Sequence, residues 1–97
     1  MHFEWDEQKR KANIRKHGFD FRDAWKVFEL PILVALDDRQ DYGEDRWIGI
    51  GMLNTRVVIM VFTERGEDTI RIISMMKATT NERIRYEQLL RDQLGND

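Results

Sequence analysis

Eight consecutive residues, Arg56-Val57-Val58-Ile59-Met60-Val61-Phe62-Thr63, constrain this chain more than any other segment. Side chains along a strand alternate between the two faces of a sheet. A strand with one wet face therefore alternates apolar and polar residues. This one is apolar on both faces, which predicts a central strand covered on both sides. A chain of 97 residues has room for one such core, so we expect a single domain over residues 1–97.

The neighbouring segments supply the rest of a sheet. Arg46–Met52 reads as a strand joined to the central one by an Asn54-Thr55 turn. Glu64–Asp68 reads as a hairpin loop into a last strand, Thr69–Met76. Before them, Ile32–Leu36 is a short strand, and residues 37–44 are an acidic loop with freedom to move. At the start, His2–Trp5 alternates as a short strand. Asp6 stands at an N-cap position, acid precedes base along 7–17, and Gly18 follows, which predicts a helix ending at His17. Only Ala12 and Ile14 offer apolar surface there, so the helix should be peripheral. Asp20 opens a second helix with Phe21, Ala24, Trp25 and Phe28 on one face, ended by Pro31. Thr79 and Glu82 have capping-box spacing before a final helix to Leu94, with Tyr86, Leu89, Leu90 and Gln93 along one face. The order β-α-α-β-β-β-β-α indicates an α+β fold with an antiparallel meander.

Composition removes several classes of function. There is no cysteine, so disulfides and thiolate metal sites are excluded and a cytoplasmic location is expected. No apolar run approaches the ~18 residues of a membrane span, and the opening residues lack the order of a signal peptide. The net charge of −2 argues against a general nucleic-acid binder. Charge is uneven, however: Lys9, Arg10, Lys11, Arg15 and Lys16 form a basic stretch, and Asp37–Asp45 an acidic one. That acidic stretch lacks calcium-loop spacing and reads as a solvated loop. No phosphate loop, paired-glycine fingerprint or zinc-protease helix is present, and no metal or other cofactor is expected.

The residues left for chemistry are basic. His17, beside Lys16, is either a helix C-cap or a group that titrates near neutrality. Arg46 and Arg71 stand at or inside apolar strands, and Arg65 precedes the hairpin glycine. A strand arginine on its own usually faces solvent, but neighbouring strands can gather several on one face, where guanidinium forks suit phosphate oxygens. Lys77 and Tyr86 follow the last strand and could border that face. Together they outline a phosphodiester site without metal, working by proton transfer and charge stabilisation.

These residues carry a resemblance. Phe3-Glu4-Trp5-Asp6, Lys9, Asn13, Lys16-His17-Gly18, Phe21 and Ala24 resemble the opening of BrnT-family toxins. Asp38-Arg39, then Gly43-Glu44-Asp45-Arg46 and Gly51, is similar to the family's middle segment. Phe62-Thr63-Glu64-Arg65-Gly66, Ile70-Arg71-Ile72-Ile73-Ser74, Lys77-Ala78-Thr79, Glu82-Arg83 and Tyr86 are similar to its ending. The resemblance implies a RelE-like α+β fold and the toxin half of a bacterial type II toxin–antitoxin pair. It implies an endoribonuclease that arrests translation, neutralised by a BrnA-type ribbon-helix-helix antitoxin. Promoter DNA would be met only through that complex. On this reading His17 is the acid–base candidate, with Arg65, Arg71 and Lys77 at the reacting phosphate and Lys16, Arg46 and Tyr86 binding substrate. One position departs from the pattern: Met76 stands where the family commonly has arginine. That substitution motivates an alternative, a weakened toxin retained for antitoxin binding and co-regulation. A third reading is a structural domain with no site.

Overall fold

In the structure, a computed structural model describing residues 1–94, the apolar segment is the middle of a five-stranded sheet. The elements are β1 (His2–Trp5), α1 (Glu7–His17), a 3-10 turn (Phe21–Asp23), α2 (Ala24–Val27), β2 (Leu33–Leu36), β3 (Trp47–Leu53), β4 (Arg56–Arg65), β5 (Thr69–Lys77) and α3 (Thr80–Leu94). Strand order is β1-β5-β4-β3-β2, so β4 has a partner on each side. β2 to β5 form the expected antiparallel meander, and β1 adds to β5 in parallel.

Both faces of β4 are covered. Val58, Met60 and Phe62 join Ile72 and Met75 against Phe19, Phe21, Ala24 and Val27. Val57 and Ile59 lie on the opposite face with Ile50, Ala78 and Tyr86, and Leu89 and Leu90 of α3 pack onto them. Fully burying an aliphatic side chain contributes about 1.5–3 kcal/mol, which is why this one strand dictates two layers.

α1 has the predicted caps. The Asp6 carboxylate accepts from the backbone N–H groups of Gln8 and Lys9 at 2.8 and 3.1 Å. Gly18 adopts the left-handed conformation at φ 79° and donates to the Ile14 carbonyl. The buried face is not the expected one. Ala12 and Ile14 are exposed, and Arg10 and Asn13 face inward. Polar groups tolerate burial when every hydrogen bond is made. Arg10 achieves this with Asp20 and Glu7. Asn13 donates to the carbonyls of Phe19 and Met75, both at 2.9 Å, and accepts from the Met75 N–H at 3.1 Å.

The second helical segment also differs from expectation. It begins as a 3-10 turn capped by Asp20, and its buried residues are Phe21, Ala24 and Val27. A three-residue repeat keeps one face in phase when the turn is tight. Trp25, expected inside, is 49% exposed. Close approach to the sheet depends on Gly51, where a Cβ would sit 2.6 Å from Cγ1 of the fully buried Val27. Gly51→Ala is therefore expected to destabilise the fold by about 1–3 kcal/mol, readable as a lower urea midpoint.

β5 carries a bulge. Val61 pairs with Ser74 and Phe62 with Ile72, leaving Ile73 as an extra residue. The bulge resets the alternation, so Arg71 and Met76 share the α3 face although five positions separate them. α3 starts with the predicted reciprocal cap: Thr79 N–H donates to Glu82 at 2.7 Å, and Glu82 N–H to the Thr79 hydroxyl at 3.2 Å. Tyr86 is fully buried, Leu89 and Leu90 are half-buried, and Gln93 is exposed.

Candidate functional site

α3 packs on the Val57–Ile59 end of its sheet face and leaves the other end polar. Alternation along β4 puts Thr63 and Arg65 on the same face as Val57 and Ile59. Arg71 lies opposite Thr63, and Glu4 of β1 lies opposite Arg71. Arg71 donates to the Glu4 carboxylate at 2.8 Å across the parallel seam.

The loop between β2 and β3 folds beside this row. Hydrogen bonds hold it at its start. The Asp37 side chain is buried and accepts from Arg39 at 2.7 and 2.8 Å and from the Tyr42 hydroxyl at 3.1 Å. Its own N–H donates to the Arg46 carbonyl at 2.7 Å. The Arg39 guanidinium holds the Asp37 carboxyl well below the usual carboxylate range, against the opposing effect of burial. The ordinary value near 3.9 applies to the unfolded chain. Asp37 thus contributes stability above about pH 4, and this is lost as pH falls toward its lower folded value. We expect acid unfolding of Asp37→Asn to be shallower in pH than that of the parent, measured by circular dichroism between pH 7 and 2.

The same loop presents two arginines to one carboxylate. Arg46 donates through Nε to Oε2 of Glu44 at 3.3 Å, and Arg65 reaches Oε1 at 3.2 Å. The Arg46 guanidinium stacks on the Tyr42 ring, 4.2 Å from its centroid. The Thr63 hydroxyl donates to the Asp45 carbonyl at 2.6 Å and ties the loop to β4. Partly exposed ion pairs contribute little stability, about 0–1 kcal/mol. Their value here is geometric: two guanidinium forks converge on one anion-sized position, and a phosphate group can take it.

Among the described residues, no three His, Cys, Asp or Glu side chains converge as a metal site, and no helix is long and apolar enough to cross a membrane. The family model for the ribonuclease toxin BrnT of type II toxin–antitoxin systems matches residues 5–82. The chain belongs to the BrnT family. The crystal structure of the Brucella abortus ribonuclease toxin BrnT is similar, with a TM-score of 0.69 and 32% identity over 82% of this chain and 99% of that one. No curated protein matches the sequence. The α+β arrangement implied by the resemblance is the one found.

In this BrnT-family chain the residues anticipated for one site are divided. Arg46, Arg65 and Arg71 lie at the polar end of the α3 face. Lys77 ends β5, six residues beyond Arg71, which places it roughly 20 Å away at ~3.3 Å per residue. Lys16 and His17 close α1 on the opposite face, just before Gly18, which lines a recess with Arg56. Tyr86, expected at the border of that face, has a buried side chain whose hydroxyl donates to the Pro31 carbonyl at 2.7 Å. Burial pushes its phenol pKa upward. Tyr42, Asp37 and Glu44, which surround Arg39, Arg46 and Arg65, were not among the anticipated residues. Their signal was present in the Gly43-Glu44-Asp45-Arg46 motif, but a run of acids in a loop resembles an ordinary solvated segment.

Proposed function

We propose that this chain is an endoribonuclease toxin whose reacting phosphate is held at the Arg46–Glu44–Arg65 cluster, with Arg71 beside it. The observation that carries this reading is one carboxylate held between two guanidinium groups. On arrival of RNA, a phosphate takes the position between Arg46 and Arg65, and Glu44 swings to the neighbouring 2′-hydroxyl. The 2′-oxygen gives its proton to Glu44 and bonds to phosphorus. The bond to the 5′-oxygen breaks, that oxygen takes a proton from water, and the hydroxide left behind takes the proton from Glu44, which restores the carboxylate. The products are a 2′,3′-cyclic phosphate and a 5′-hydroxyl. The arginines stabilise the charge that develops on phosphorus, so no metal is required. His17, Lys16 and Lys77 take no part at this phosphate.

Cutting RNA in this way arrests translation. A BrnA-type ribbon-helix-helix antitoxin neutralises the toxin, and promoter DNA is contacted only through their complex. Purified protein incubated with cellular RNA in EDTA should yield fragments with cyclic phosphate ends, and its expression should stop growth. Intact RNA under these conditions would overturn the reading. A second reading, a weakened toxin kept for complex formation, is favoured by Met76, which is half-buried under α3 opposite Ile59 and carries no charge. It requires intact RNA together with antitoxin binding.

A further inference from the structure

We propose that a second groove, between the β3–β4 hairpin and the first turns of α3, is a track for the phosphates of single-stranded RNA. It deepens the ribonuclease reading and rests on it for the identity of the ligand.

The groove has a volume of about 580 Å³, within the ~300–1,000 Å³ range of binding pockets. Three cations line it from three different elements: Arg56 at the start of β4, Lys77 at the end of β5, and Arg83 in α3. All three are exposed. Among the described residues, none of them has a carboxylate within 4.0 Å, whereas Arg10, Lys26, Arg39, Arg46, Arg65 and Arg71 each do. One acid, Glu87, lines the groove against them. α3 begins at Thr80 on the groove wall, and the positive end of its dipole adds to the same field. Met52 contributes apolar surface on which a base can rest.

The distribution matters because the whole chain carries a net charge of −2. Long-range attraction to RNA is therefore weak, and binding depends on local excess charge. At the polar end of the sheet the arginines are already matched by Glu44 and Glu4. At this end, among the described residues, no carboxylate lies within 4.0 Å of the three cations and Glu87 is the one acid lining the groove, so phosphates release counterions without breaking an ion pair. The two ends are roughly 20 Å apart along β5, given ~3.3 Å per residue. One phosphate cannot touch both, but a strand of several nucleotides can. The groove then holds the strand while the arginine cluster engages the phosphate to be cut.

The probe is a fluorescein-labelled 2′-O-methyl RNA oligonucleotide, which lacks the attacking hydroxyl and stays intact. Binding is followed by anisotropy as NaCl is raised. Each phosphate contact in a single strand adds about 0.7 to the slope of log K against log salt. Changing Arg56, Lys77 and Arg83 together to Gln should weaken binding about tenfold or more and flatten the slope by roughly 2. Glu87→Gln should tighten binding severalfold. The same charge change on α1, with Lys9, Lys11 and Arg15 made Gln, should have a much smaller effect. If the groove variant binds like the parent, or only as poorly as the α1 variant, the proposal falls. It also falls if the groove variant loses binding to polyglutamate but keeps binding to RNA, because the groove then serves an acidic protein segment. Cleavage of the unmodified oligonucleotide by the parent protein tests the ribonuclease reading separately. Cleavage with groove-independent binding sinks the track alone. Groove-dependent binding without cleavage sinks the ribonuclease reading and keeps the track.

Discussion

Arg65→Ala should cut the rate of RNA cleavage about 10²–10³-fold, the usual cost of removing one preorganised donor from a developing anion. The fold should barely notice. The Arg65 side chain is 51% exposed and, among the described residues, Glu44 is its one acidic partner, and such surface changes shift stability by no more than about 0.5 kcal/mol. Arg65→Lys retains the charge but loses the fork, so it should fall between the two. His17→Ala provides the contrast. Its side chain ends α1 on the other face of the sheet, and we expect less than a tenfold loss. Single-turnover rates on one oligonucleotide give all three values. Full activity in Arg65→Ala, or a larger loss in His17→Ala, would move the reacting phosphate away from the Glu44 cluster.

The largest stability effect is expected at Asn13. Its amide serves three buried backbone groups: the carbonyls of Phe19 and Met75 and the N–H of Met75. In Asn13→Ala all three lose their partner at once. Each unmet buried group costs about 1–3 kcal/mol, so a total of roughly 3–5 kcal/mol is expected. At about 4–8 °C per kcal/mol for a domain of this size, the melting temperature should drop by at least about 12 °C. Asn13→Asp keeps the acceptor and loses both donations, and should also be strongly destabilised. Urea titrations with an unchanged m-value test this. A loss below 1 kcal/mol would mean that water replaces the amide and that the α1–β5 contact is not rigid.

Asn13 also shows where sequence reading stops. The helix around it was legible from Asp6, the charge order and Gly18, because capping is local chemistry. Its inner face was not, since hydrophobic periodicity is blind to a face that docks through hydrogen bonds. β4 was legible because burial on both sides leaves an unbroken apolar run. Trp25 was misplaced because a 3-10 start shifts the helical phase, and no residue in Phe21–Val27 announces that shift. The arginines of β4 and β5 were visible as candidates. Their matching to Glu44 and Glu4 depended on cross-strand register and on a bulge at Ile73, which are properties of the assembled sheet. Tyr86 sat on the predicted apolar face of α3, and its burial there follows from that pattern.

The parallel seam between β1 and β5 has a temporal consequence. Arg71 and Glu4 lie 67 positions apart, and β1 finds no sheet partner until Thr69–Lys77 exists. At synthesis rates of about 5–20 residues per second, the first strand waits several seconds for its neighbour. Pairing over such a sequence distance is also slow to nucleate. The arginine row therefore acquires its full geometry only after β5 has been made and has paired with β1, roughly 70 residues after β1 itself was synthesised.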